Sequence, residues 1–527
     1  MRYVYSYINT PEGSYFVSSG RAYMLNMDII TSGKIGYQNP WNAEETESVF
    51  STSGVGSTWI LVLLGVFISD WIGFFLAISV FLFAAGISIY IFSGRNETGI
   101  YSTLIYMISA GLGGAILAAL GIFYPDILGK GIQAGFGYGG FKNDEAIYYS
   151  LSPFLGVVSL YFLSKKRLLA SSIFLGLCIF VYPNYGFMFF LAHIIYVLSF
   201  GIRKRTAIKF LPVVAAFASP WVFTFLSGGE YIRVYRASIS TGIGEFLPTL
   251  VISMAFLFFF SFYYLRGKLS LPGWKIFAVA FLAAFVVSTI GQAGIHGDAE
   301  LAGIKKSLNL DIKIERHLSL VMQSFFIVYM AAFIYAIFRK NRNFFAGNID
   351  GFLFLWAYAV VFISMFPQDL AVWIAGRTIG VSTIPLSILA AKGVIRFSRS
   401  HNIKSACTVF AVILLSMPTI LVYNYYMVSP EINHDLYIEK EKFDSIMPLR
   451  DMEDGVVFID VGRSDLVPYY IGKKSVLSGN GYVIRDYWEK VENYKKLPEM
   501  GENDRLGVLR KYNVRYLVIG NGVEVVW

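Results

Sequence analysis

Charged side chains are scarce in this sequence, 15% of 527 residues, where soluble domains carry about a quarter. A chain so poor in charge and 56% hydrophobic cannot cover a globular surface with polar groups, which excludes an ordinary soluble protein. Cysteine is scarcer still. Cys178 and Cys407 both stand inside apolar stretches, without the spacing of a metal site or a redox pair, so both read as packing residues. A basic-then-apolar leader is also missing: the first residues are polar and aromatic, and no cleavable signal peptide is expected. The formal net charge of +9 does not point to nucleic acid, because Lys and Arg gather in short loops between apolar blocks, where insertion orientation accounts for them.

What is present is a series of apolar blocks, each near the ~20 residues that a helix needs to cross a hydrocarbon core. They run over 72–92, 101–123, 147–164, 168–182, 185–200, 206–226, 247–265, 274–290, 319–338, 352–366, 370–396 and 404–425, about twelve in all. Basic clusters occupy alternate loops: Lys165, Lys166 and Arg167; Arg203, Lys204 and Arg205; Arg266 and Lys268; Arg339, Lys340 and Arg342; Lys392, Arg396 and Arg399. By the positive-inside rule these loops are cytoplasmic. The loops 124–146, 183–184, 227–246, 291–318 and 367–369, and everything after Tyr426, then lie outside. Residues 58–70 are apolar but short for a crossing and read as an interfacial helix, which leaves 1–57 outside as well. A polar segment of that length needs an upstream helix to carry it across, so Met1 is not expected to be the biological start. If 58–70 do cross, no such helix is needed. Three regions follow: an N-terminal extracytoplasmic segment 1–57, a transmembrane helical domain 58–425, and a tail 426–527 of soluble texture. In the tail, 455–460 and Val514 to Ile519 read as buried strands and Asn503 to Lys511 as a helix, a small α/β domain.

Ionisable groups near lipid are costly, so chemistry is sought at the outer loops and outer helix ends. Asp144 and Glu145 stand where the chain enters a membrane helix from outside. Paired carboxylates there would hold Mg2+ or Mn2+ against a phosphate, or simply complement the helix dipole. The loop from Gln292 to Arg316 carries His296, Asp298, Glu300 and Asp311, most of them a solvated face. Glu315, Arg316 and His317 stand apart at the next helix entrance. Arg377 lies about 12 Å in from the outer end of its block at ~1.5 Å per residue. An arginine at such depth costs about 2.5–3.5 kcal/mol on insertion scales, which favours a bound phosphate, held bidentately, or a carboxylate partner such as Asp369. Glu12 and Asp28 flank an aromatic stretch that suits an interface. His193 reads as core, and the sequon Asn96-Glu97-Thr98 falls in a cytoplasmic loop.

The order of these features resembles the GT-C superfamily, and within it the catalytic subunit of archaeal-type oligosaccharyltransferase, over most of the chain. Ser14-Tyr-Phe through Asn39-Pro-Trp41 resembles that family's first outer loop, Gly140-Phe-Lys-Asn-Asp-Glu145 its second acidic motif, Ile314-Glu315-Arg-His317 its late-loop glutamate motif, and Arg377 its lipid-phosphate arginine. The closing Arg510-Lys-Tyr-Asn-Val-Arg-Tyr-Leu-Val-Ile519 is similar too. The family's thirteen helices would match about twelve blocks here plus an upstream one. Three departures stand out. Glu12 alone is available for the first-loop aspartate. One carboxylate of the second motif falls on Lys142 or Asn143. The Trp-Trp-Asp-Tyr-Gly motif that reads an acceptor sequon is absent, with Ile459-Asp460-Val-Gly-Arg-Ser-Asp465 in its place.

The resemblance implies an α-helical polytopic membrane protein of about 12 to 13 transmembrane helices with a small C-terminal α/β extracytoplasmic domain. It implies a glycosyltransferase in the cell membrane, moving a sugar from a polyprenyl-phosphate or polyprenyl-pyrophosphate donor to a protein or glycolipid acceptor at the extracytoplasmic face. Glu12, Asp144 and Glu315 would be catalytic, Arg377, Arg316 and His317 would bind the donor phosphate, and Asp144 and Glu145 would hold a divalent cation (Mg2+ or Mn2+) if one is used. Three alternatives stay open: an oligosaccharyltransferase with a diverged acceptor motif, a lipid-linked glycan transporter or flippase, and a catalytically silent relative. No inverted repeat supports the transporter.

Overall fold

The computed structural model describes residues 14–16, 71–108, 147–200, 211–227, 349–364, 375–414, 437–464, 466–477 and 487–527. The blocks at 247–265, 274–290 and 319–338 and the segment 58–70 lie outside the described residues. The chain divides into two compact units, one of residues 74–219 and 238–425, the other of 1–73, 220–237 and 426–527.

The first unit is helical. Its described helices are α1 (Trp71–Phe92), α2 (Glu97–Ile108), α3 (Ile147–Ser164), α4 (Leu168–Val181), α5 (Pro183–Ser199), α6 (Leu211–Ser227), α7 (Ile349–Ser364), α8 (Ala375–Ser400) and α9 (Ser405–Leu414); α6 runs on past residue 219. Within α8, Gly380–Ser400 is long and apolar enough to cross a membrane, while Leu76–Phe92, Leu168–Val181, Pro183–Ser199 and Ser405–Leu414 are apolar but shorter. The helices expose apolar side chains that a soluble protein would cover. Leu76, Val80, Phe83 and Ile87 make a stripe along α1 that is 43–64% exposed, while Ala77, Ile78, Ala85 and Ile89 are buried. Such a stripe is stable against lipid tails, and hydroxyls in that setting must be satisfied within the chain. Ser88, Ser93 and Ser172 meet this by donating to the carbonyls of Ala85, Ile89 and Leu168 at 2.7 Å each, whereas the buried hydroxyls of Tyr106, Ser152 and Ser199 have no partner among the described residues.

Close helix approach comes from glycine. A Cβ on Gly156 of α3 would stand 2.3 Å from the Phe189 ring of α5, and one on Gly176 of α4 would stand 2.4 Å from Phe217 of α6. At Gly186 the obstacle is backbone, the Ile179 Cα at 2.4 Å. Without a hydrophobic drive between helices in lipid, this small-residue packing is what dispersion can use. The α3–α4 reversal turns through Lys166 at φ 59°, and α4 gives way to α5 at Tyr182, with Pro183 in the first position of α5, where its missing N–H costs nothing.

Cys178 is buried, with its thiol directed at the Ser152 carbonyl at 3.3 Å. Cys407 departs from the expected packing role: it is exposed, because it shares the outward stripe of α9 with Phe410 and Leu414, three and seven residues on.

The second unit contains a four-stranded sheet, β4-β3-β5-β6. Here β1 is Ser14–Phe16, β2 Tyr437–Glu439, β3 Val456–Phe458, β4 Lys474–Ser475, β5 Val514–Ile519 and β6 Gly522–Val525. The strand β3 runs parallel to both β4 and β5, and β6 returns antiparallel through Gly520 at φ 58°. The helices α10 (Lys440–Asp444), α11 (Val461–Ser464), α12 (Tyr487–Lys496) and α13 (Glu502–Lys511) complete the unit. Parallel strands bury both faces. Val457, Ile459, Tyr516 and Val518 pack into one core with Ile446, Leu449 and Val467, and Val456, Phe458, Val514 and Leu517 into another with Leu477, Leu497 and Leu509. Val514 and Leu517 share a side across an odd spacing because the β3–β5 register shifts between Val456 and Val457. Separately, β1 pairs antiparallel with β2, Tyr15 opposite Ile438, so a strand from the first residues of the chain belongs to the unit of the tail.

Candidate functional site

The helical unit has two chemically distinct ends. At one, α3 finishes at Lys165, Lys166 and Arg167, α2 begins with Glu97, and α8 ends with Arg399, which meets Glu97 at 3.2 Å. Asp350, in the first turn of α7 and 4% exposed, forms an ion pair with Lys392 of α8 at this end. His193 joins three helices here: its Nδ1 faces the Phe189 carbonyl at 2.7 Å, and its Nε2 lies 3.2 Å from Ser159 and 3.1 Å from Ser171. A nitrogen facing a carbonyl carries the proton, so in the neutral ring Nε2 is the acceptor. This is a satisfied core histidine, as its setting in the sequence led us to expect. Asn96 uses its side-chain oxygen to accept the amide of Gly99 at 3.3 Å, a helix-capping role.

At the other end stands a cluster of four buried tyrosines. Tyr148 and Tyr149 come from the first turn of α3, Tyr182 from the α4–α5 junction, and Tyr185 from the first turn of α5. Tyr148 stacks on Tyr182 with centroids 4.4 Å apart, Tyr149 lies 5.6 Å from Tyr182 and 5.8 Å from Tyr185, and Tyr182 meets Tyr185 edge-on at 5.2 Å. Asn184 donates to the Tyr182 hydroxyl at 3.2 Å. The Tyr185 hydroxyl reaches α8, where a Cβ on Gly380 would stand 2.5 Å from it. The starts of α3 and α8 are thereby brought to the same end of the unit.

That juxtaposition bears on the candidates read from the sequence. Arg377 lies in the first turn of α8, one turn before Gly380. Glu12, Asp144, Glu145, Glu315, Arg316 and His317 lie outside the described residues, although Glu145 precedes the first residue of α3, Ile147, by only two positions. Among the described residues no group of three or more His, Cys, Asp or Glu side chains is arranged to hold a metal ion.

In the tail, the segment standing in place of the Trp-Trp-Asp-Tyr-Gly motif follows β3. Its Asp460 is engaged by Arg463, which is 6% exposed: the Arg463 Nε donates to Oδ2 at 2.6 Å and its amide to Oδ1 at 3.1 Å. The same guanidinium donates to the Gly520 carbonyl at 2.7 Å and the Ser445 hydroxyl at 3.3 Å. Asp460 is therefore part of a structural network tying β3 to the β5–β6 turn. Nearby, burial pushes the Tyr494 phenol up to about 12, and its hydroxyl donates to the Val518 carbonyl at 2.6 Å. A hydrogen bond from Lys511 holds the exposed Glu489 below the ordinary carboxylate range.

Neither a protein-family model nor a curated protein matches the chain. Solved structures do. Archaeal oligosaccharyltransferase AglB from Archaeoglobus fulgidus, in complex with an inhibitory peptide and a dolichol-phosphate, superposes with a TM-score of 0.50 at 11% identity, over 98% of this chain and 68% of that one. The A. fulgidus oligosaccharyltransferase in the apo form gives a TM-score of 0.51 at 13% identity over the same shares. The chain has the fold of archaeal oligosaccharyltransferase. The exposed apolar stripes of α1 and α9 fit a helical unit that faces lipid. Identity this low carries the fold and leaves the chemistry to the residues.

The tyrosine cluster and the Asp350–Lys392 pair were not singled out from the sequence. A signal for the first existed: Tyr148-Tyr149, Tyr182 and Tyr185 all fall at block ends, where aromatic residues with a polar tip settle. The second had none, since Asp350 and Lys392 are 42 residues apart in separate blocks.

Proposed function

We propose that the chain is a membrane glycosyltransferase that transfers a sugar from a polyprenyl-phosphate or polyprenyl-pyrophosphate donor to an acceptor at the extracytoplasmic face. The observation that carries this reading is a chain of contacts at one end of the bundle: Tyr149, in the helix that begins just after Asp144 and Glu145, packs on Tyr185, and Tyr185 of α5 meets Gly380 in the helix whose first turn holds Arg377. An acidic pair and an arginine at one end of a GT-C bundle suit a departing lipid phosphate: the guanidinium offers it two parallel donors, and a carboxylate orients or deprotonates the acceptor hydroxyl or amide. The positive-inside rule makes the opposite end cytoplasmic, since that end carries Lys165 to Arg167, Lys392 and Arg399. The dolichol-phosphate bound by the A. fulgidus enzyme is a lipid phosphate of the proposed class.

In this reading residues 1–57 form an outer segment, 58–425 the membrane domain and 426–527 the outer α/β domain. Glu12, Asp144 and Glu315 are the catalytic candidates, with Arg377, Arg316 and His317 at the donor phosphate. Asp144 and Glu145 are oxygen donors of the kind Mg2+ or Mn2+ prefers, and such an ion would neutralise charge building on the phosphate. The acceptor is a protein or glycolipid. The Arg463 clamp on Asp460 leaves that carboxylate committed inside the tail, which favours an acceptor other than a sequon peptide.

The test is sugar transfer from both donor types in membranes containing the chain, with and without chelator, for wild type, Asp144→Ala and Glu145→Ala. Transfer lost in either variant supports the acidic pair. Full transfer in both removes it, and transfer to a sequon peptide would restore the oligosaccharyltransferase reading.

A further inference from the structure

We propose that Tyr185 is a positioning residue for the donor site: its hydroxyl, seated against Gly380, sets where the first turn of α8, and with it Arg377, stands. This rests on the reading of Arg377 as the donor-phosphate residue. Three observations support it. The contact is between helices, since Tyr185 belongs to α5 and Gly380 to α8. It leaves no space: a Cβ at position 380 would lie 2.5 Å from the hydroxyl oxygen, while the next atom, Tyr185 Cζ, is 3.6 Å away. Finally, Tyr185 is only 2% exposed and is held by Tyr149 and Tyr182, so the ring cannot swing aside without moving the start of α3.

The two distances make the proposal sharp. Clearance at Gly380 is decided by one oxygen atom. Adding a methyl group in Gly380→Ala forces the ring and α8 apart by about 1 Å to reach an ordinary contact of ~3.5 Å. Removing the oxygen in Tyr185→Phe leaves α8 unsupported at the same point. Making both changes restores contact, because the new Cβ then meets Cζ at 3.6 Å. Two harmful single changes that cancel when combined are the signature of direct coupling.

The experiment uses the full chain in lipid nanodiscs. It measures binding of radiolabelled polyprenyl phosphate and, separately, donor KM and kcat for sugar transfer. Misplacing a binding group by ~1 Å weakens productive contact by up to about 10²-fold, and with Arg377 retained we expect each single variant to raise the donor Kd about tenfold and to lower kcat/KM by at least as much, part of it in kcat because Arg377 also meets the departing phosphate. The double variant returns both constants to within about threefold of wild type. Arg377→Ala abolishes the difference between Gly380→Ala and wild type. Singles that leave the donor Kd unchanged, or a double variant no better than the worse single, overturn the proposal. Should Gly380→Ala fail to fold, the double variant must still bind donor more tightly than Tyr185→Phe alone. If Arg377→Ala itself leaves donor binding intact, the reading of Arg377 fails first; cancellation at Tyr185 and Gly380 without any effect at Arg377 identifies that case.

Discussion

Asp350 and Lys392 give the helical unit an asymmetric dependence on two oppositely charged residues. The carboxylate side chain is 5% exposed and the lysine 22%, so they do not fare equally when the partner is removed. Breaking a buried pair costs about 3–5 kcal/mol, because the survivor keeps its charge but loses that counter-charge. After Asp350→Asn the survivor is Lys392, whose long stem lets the ammonium reach water at the basic end of the bundle, and the expected loss falls to about 2 kcal/mol. After Lys392→Met the survivor is a short aspartate that cannot reach water. Its place in the first turn of α7 returns about 1 kcal/mol through the helix dipole, leaving a loss of about 3 kcal/mol. The double variant Asp350→Leu, Lys392→Met removes both charges and is expected within about 1 kcal/mol of wild type. The assay is thermal unfolding in detergent micelles followed by circular dichroism. The predicted order of midpoints is wild type and double variant highest, Asp350→Asn next, Lys392→Met lowest. Additive losses, with the double variant below both singles, would refute the reasoning.

Gly186→Ala should destabilise by about 3 kcal/mol, the upper end of overpacking costs, since the Cβ strikes the Ile179 backbone. Gly156→Ala strikes a ring that can tilt and should cost less, and the two thermal midpoints compare them. In the tail, Arg463→Leu removes the clamp on Asp460, Ser445 and Gly520 and should lower the unfolding midpoint of the sheet unit by an amount corresponding to ~2–3 kcal/mol. The part-exposed Asp460 keeps the loss from being larger, and resistance of the tail to protease reads it. Tyr494 should make the sheet unit sensitive to alkali. Its folded value of about 12 lies above the unfolded ~10, so its contribution is complete below pH ~10 and disappears as pH rises toward 12. Tyr494→Phe should flatten that part of the stability profile, measured by denaturant titration at a series of pH values.

Much of the fold was legible because lipid imposes a simple rule on sequence. The block at 147–164 is the helix Ile147–Ser164, and that at 168–182 ends one residue early, where Tyr182 turns extended. The tail strands Val456–Phe458 and Val514–Ile519 fall within the stretches read as strands, since β-branched runs between turn residues have few other options. Pairing was harder to see. Nothing local to Ser14–Phe16 announces a partner more than four hundred residues away, at Tyr437–Glu439. The site was half legible. Carboxylates and an arginine are conspicuous in an apolar chain, whereas Gly380 and Tyr185 matter only through a contact between helices, which no spacing within either block encodes.

The central claim is that this chain transfers sugar from a lipid phosphate. The direct measurement is transfer of radiolabelled sugar from polyprenyl-phosphate and polyprenyl-pyrophosphate donors in proteoliposomes, wild type against Arg377→Ala. We predict transfer by the wild type and loss of at least about 10²-fold in the variant, the scale of removing one preorganised charge-stabilising donor. Transfer undiminished in Arg377→Ala, or none from either donor by folded wild-type protein, would contradict the account.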